Sequence, residues 1–112
     1  MKETNNTLKV SKVIPGKKIY ELKATHGFPL VCALDELKKE GLVVDWVGYF
    51  KASLEEGQVF EKEVKGVENA ILDAYDEEYL ERWKRRSLSH LYKLLKEHNE
   101  KEEKDGKNND KI

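Results

Sequence analysis

Gly27, Gly41 and Gly57 each follow a short stretch in which apolar residues recur three or four positions apart. That spacing lines up the apolar side chains on one stripe of a helix, and a helix with a single apolar stripe must bury it against a neighbour. Punctuation this close restricts the chain to short helices with tight connections, packed side by side.

The first junction is "THGFPL", residues 25–30. A helix over 17–25 places Ile19, Leu22 and His26 on one face. Gly27 stands just past its end, where glycine takes the left-handed conformation at least cost. Pro29 suits the first turn of a following helix, because that N–H has no intrahelical partner. Leu30, Ala33, Leu34 and Leu37 give that second helix its stripe, Gly41 stops it, and Leu42 can fold back on Leu37. Asp45 is a good N-cap for a third helix over 46–56, with Val44 and Tyr49 spaced as a hydrophobic staple. Val47, Phe50 and Leu54 form its expected buried stripe. Gly48 within that helix costs roughly 1 kcal/mol against alanine, which points to a close approach there.

A fourth helix over 61–75 carries Val64, Val67, Ile71 and Ala74 on one face, and Asp76 restarts the chain. Leu80, Trp83, Leu91, Leu94 and Leu95 mark a long fifth helix, expected to fray after His98. The predicted core is Leu30, Leu34, Leu37, Phe50, Leu54, Val67, Ile71, Leu80, Trp83, Leu91 and Leu94. Residues 8–16, "LKVSKVIPG", alternate briefly and admit either a short strand or an extended arm ending in a Pro-Gly turn. The reading is an all-α bundle of four or five helices over 15–98, with a flexible arm over 1–14 and a disordered charged tail over 99–112.

Within 112 residues only one domain fits. Cys32 is the single cysteine, so no intrachain disulfide forms. The first residues lack the apolar run of a signal peptide, and the longest apolar run, "FPLVCAL", is far short of a membrane span. These features predict a cytoplasmic protein without a membrane partner. Charge is banded: residues 1–27 hold six Lys against two Glu, 61–81 hold two Lys against eight acids, and 82–98 hold six bases against one Glu. Such banding says more about partners than the net charge of −1 does.

The strongest basic feature is "RWKRR". On a helix, Arg82, Arg85, Ser89, Lys93 and Lys96 follow one stripe beside Arg86, and such a stripe can lie along phosphates or an acidic partner. Against this, Glu78–Arg82 and Glu81–Arg85 are i,i+4 pairs in the favoured order, so the face can also pair with itself. Thr25 and His26 form a possible junction site, although a histidine near a helix end also serves as a capping residue. The acids Asp73, Asp76, Glu77, Glu78 and Glu81 have no base, nucleophile or metal partner at a supporting spacing, and acids belong at a helix start. His90 and His98 lie about 12 Å apart along one helix, too far to share an ion. No metal site, cofactor or enzyme activity is expected.

"KIY", then "THGFPL", ten residues, and "GLVVDWVGY" resemble a helical segment of alanyl-tRNA synthetase, with His26 in place of the usual tyrosine. The resemblance covers residues 18–50. It implies contact with RNA at most, since the ATP-binding motifs of the catalytic core and the metal-ligand motifs of the editing domain are absent. The expected function is a non-catalytic helical interaction protein of regulatory or accessory type, like those of phages and mobile elements, docking on a protein partner. The alternative is RNA or DNA binding through the arm and the last helix. The sequence leaves the partner's identity and the oligomeric state open.

Overall fold

The computed structural model describes residues 12–110, with side chains up to Lys101. The elements run β1 (Lys12–Ile14), α1 (Gly16–His26), α2 (Leu30–Glu40), β2 (Leu42–Val44), α3 (Trp46–Glu55), α4 (Phe60–Ala74) and α5 (Glu77–Asp110). Among the described residues it is a small all-α bundle of five helices carrying one two-stranded clip.

The helix stops follow the chemistry of their residues. Gly27 has φ 67°, its N–H donates to the Lys23 carbonyl at 3.2 Å, and the Phe28 N–H donates to Leu22 at 3.0 Å. This is the Schellman arrangement. Gly41 repeats the left-handed stop at the end of α2. Pro29 is the N-cap of α2 rather than a residue of its first turn, and its carbonyl accepts from Cys32 and Ala33. Asp45 caps α3 by accepting the Gly48 N–H at 3.2 Å, and Asp76 caps α5 by accepting the Tyr79 N–H at 2.8 Å.

β1 and β2 pair in parallel, Lys12 with Leu42, Val13 with Val43 and Ile14 with Val44. The Asp45 N–H extends the ladder onto the Ile14 carbonyl at 3.0 Å. Residues 12–14 therefore belong to the fold, which corrects the arm boundary at 14; the rest of the arm lies outside the described residues.

The packing order also differs from expectation. Sequence neighbours do not dominate: α1 packs chiefly on α3, α2 on α4, and α5 lies across α3 and α4. Gly16 is one cause. A Cβ there would overlap the Asp45 carbonyl oxygen and the Tyr49 amide nitrogen and lie 2.9 Å from Tyr49 Cα. Two helix starts thus meet backbone to backbone. Gly48 faces the same contact, since its added Cβ would sit 3.6 Å from the Gly16 nitrogen. The close approach read from Gly48 is present.

Of the predicted core, Leu30, Leu34, Leu37, Phe50, Leu54, Val67, Ile71, Trp83 and Leu91 are buried, while Leu80 and Leu94 pack half-buried at its margin. Two stripes turn out rotated. α1 buries Ile19 and Tyr20 and leaves Leu22 and His26 exposed. α3 buries Tyr49 and Phe50 and leaves Val47 44% exposed. An aromatic chain accounts for the second rotation, with Tyr49 in edge contact with Tyr20, Trp46 and Phe50 at centroid distances of 5.5, 5.3 and 5.4 Å. Beyond His98, where the sequence predicts fraying, the backbone is helical to Asp110. Glu97 precedes Lys101 by four residues, the order that supports a helix through its side chains.

Candidate docking groove

α5 carries the basic stripe on its outer face. At 3.6 residues per turn, Arg82, Arg85, Arg86, Ser89, Lys93 and Lys96 fall within an arc of about 100°, opposite Trp83, Leu91 and Leu94. All six are exposed. The self-pairing read from the sequence takes another form: Glu81 pairs with Lys84 at 3.6 Å, and the Arg82 guanidinium lies 5.9 Å from the centre of the Tyr79 ring.

Arg82 and Arg86 also border a groove of about 390 Å³ between β2, the start of α3 and α5. Val43, Val44 and Trp46 form one wall; Tyr79, Arg82, Trp83, Arg86 and Ser87 form the other. No carboxylate lines it among the described residues. Trp46 and Trp83 meet edge to face at 5.8 Å, and Tyr79 stacks on Tyr75 at 3.9 Å. Val43 is 37% exposed beside the groove. A shallower extension of about 210 Å³ continues along Val47 and His90, where Asp45 is already engaged as a cap.

Each wall has a local cause. Val43 stands out because a strand alternates its side chains, so Leu42 and Val44 turn inward while Val43 faces water. Trp46 is the first residue of α3, held there by the Asp45 cap. Lys38 donates to the Ala74 carbonyl at 3.2 Å and lies 5.2 Å from the Tyr75 ring centre, which fixes the start of the tyrosine stack. Burial first, then Tyr79, pushes the Tyr75 hydroxyl up to about 12.

On the other side of the bundle, Lys23 donates to both Glu63 oxygens at 3.1 and 3.3 Å and to the Tyr49 hydroxyl at 3.3 Å. Burial and the Glu63 charge raise the Tyr49 hydroxyl well above its ordinary range. This knot ties α1 to α3 and α4.

Thr25 and His26 end α1, exposed, and neither lines the groove. Arg85, Lys93 and Lys96 stay on the outer stripe, away from the groove walls. Cys32 is a free, exposed thiol. Among the described residues no three His, Cys, Asp or Glu side chains gather as a metal site, and no helix is long and apolar enough to cross a membrane. Val43, Trp46 and Tyr79 were missed as site residues. The signal for Val43 was "LVV" between Gly41 and Asp45, a strand-length apolar run of which only the flanking positions were read, as contacts of the neighbouring caps; Trp46 and Tyr79 join the site only through the fold. Comparison with known protein families, curated proteins and solved structures returned no match.

Proposed function

We propose that this chain is a non-catalytic docking module that seats a protein partner in the groove between β2, α3 and α5. The observation that carries the reading is the wall composition: exposed Val43 and half-buried Trp46 face two arginines, with no acid among them. Protein interfaces combine an apolar centre with aromatic and arginine side chains in this way.

The outer stripe supports a second reading, nucleic-acid binding, in keeping with the RNA contact implied by the synthetase-like segment. Beside the groove the aromatic rings favour the first reading, while Tyr92, 52% exposed, leaves one open ring beside the outer stripe. Trp83 is only 5% exposed, and Tyr79 already stacks on Tyr75 and holds Arg82 over its ring. Sites for single-stranded nucleic acids combine a basic groove with open aromatic faces on which bases stack. The test is capture of partners from native extract, with and without nuclease, by the wild type and by Val43→Asn. Capture that survives nuclease and falls in the variant is the expected result. Capture abolished by nuclease and indifferent to Val43 would move the function to the second reading.

A further inference from the structure

We propose that the groove takes an extended acidic segment in which two carboxylates flank one apolar side chain, an Asp/Glu–apolar–Asp/Glu sequence. This rests on the docking reading and specifies its partner chemistry.

Three features converge on that occupant. Arg82 and Arg86 are four residues apart on α5, which sets their Cβ atoms about 6 Å apart on one rim. In an extended chain, alternate side chains point the same way at about 6.6 Å spacing, while the one between them points to the other side. Two carboxylates at such positions reach both arginines, and the residue between them turns toward Val43, Val44 and Trp46. That wall is apolar, so the central residue is apolar.

Charge complementarity points the same way. Among the described residues no carboxylate lines the main groove, and Asp45, in the extension beside Arg86, is engaged as the cap of α3. The Arg82 guanidinium lies 5.9 Å from the Tyr79 ring centre, within reach of a weak cation–π contact. A guanidinium can receive a carboxylate through two parallel hydrogen bonds.

The experiment selects random linear peptides displayed on phage against the full chain. Enriched peptides are then measured against the wild type, Arg82→Gln/Arg86→Gln and Val43→Asn, each first shown to melt like the wild type. U-rich single-stranded RNA is measured in parallel. The expected result is enrichment of the acid–apolar–acid pattern, with affinity falling about tenfold or more in the double arginine variant and also falling in Val43→Asn. Enriched peptides without acids, dependent on Val43 but indifferent to the arginines, would overturn the acidic pattern and leave the docking reading standing. Peptides indifferent to both sets of variants, or no enrichment at all, would overturn both. RNA binding that needs Arg82 and Arg86 but not Val43, in place of peptide binding, would also overturn both in favour of nucleic acid.

Discussion

Alanine at position 16 tests the packing of α1 on α3 most directly. The added Cβ overlaps the Asp45 carbonyl oxygen and the Tyr49 amide nitrogen and comes within 2.9 Å of Tyr49 Cα, where carbon atoms prefer about 3.5–4 Å. All three are backbone atoms, so no rotamer change relieves the clash. α1 must move off α3 by on the order of 1 Å, which loosens Ile19 and Tyr20 from Tyr49. Overpacking a core costs about 1–3 kcal/mol where side chains can yield, and here none can, so Gly16→Ala is expected to cost about 3 kcal/mol or more. For a domain of this size that is a fall in melting temperature of about 12–24 °C. Gly66→Ala, in the middle of α4, is the control: its added Cβ meets nothing within 4 Å. It is expected to raise stability by about 0.5–1 kcal/mol through helix propensity alone. Thermal and urea unfolding followed by circular dichroism at helical wavelengths give both values. If Gly16→Ala melts within a few degrees of the wild type, the backbone contact between the two helix starts has been misread.

The remaining expectations concern side chains and pH. Gly27→Ala, at φ 67°, should cost about 1 kcal/mol by urea unfolding, and no change would remove the left-handed stop. Ser53 is 1% exposed and its hydroxyl has no hydrogen-bond partner among the described residues, so Ser53→Ala should stabilise by up to about 1 kcal/mol; a clear loss would mean the hydroxyl has a partner. Lys23→Met strands the Glu63 carboxylate, whose side chain is 11% exposed, and should cost about 1–2 kcal/mol, with a double-mutant cycle against Glu63→Gln recovering part of it. Tyr75 ionises near 10.0 when unfolded and near 12 when folded, so its contribution to stability is full below pH 10.0 and is lost as pH climbs toward about 12. Urea midpoints across that interval should fall less steeply in Tyr75→Phe.

Helix starts and stops were legible because they are local. Gly27, Gly41, Asp45 and Asp76 act through residues within a few positions of themselves, and each does what its chemistry requires. The β1–β2 pair was only half legible. Strands of three residues carry almost no period, and the partner of Lys12 is Leu42, far along the chain. The rotated stripes of α1 and α3 have a different cause. Leu22 and Val47 are as apolar as the residues that displaced them, but Tyr20 and Tyr49 bury larger rings and meet one another across the helix pair. The arginines of the groove could be named from the sequence, whereas the groove itself could not. Its opposite wall comes from Val43 and Trp46, and only the fold brings that wall to α5.

The length of α5 governs how the molecule turns in solution. Its 34 residues span about 51 Å at 1.5 Å per residue. The principal extents are 65, 30 and 25 Å, so a helix of that length can lie only along the longest axis. The particle tumbles as a prolate body with α5 close to its unique axis. Helical N–H bonds run nearly parallel to the helix axis, so the amides of α5 reorient mainly through slow end-over-end rotation. Amides lying across that axis also sense the faster spin about it. Nitrogen relaxation should therefore mark α5 as a block with the longest correlation times, and a compact partner seated beside it would narrow that difference by making the whole particle rounder.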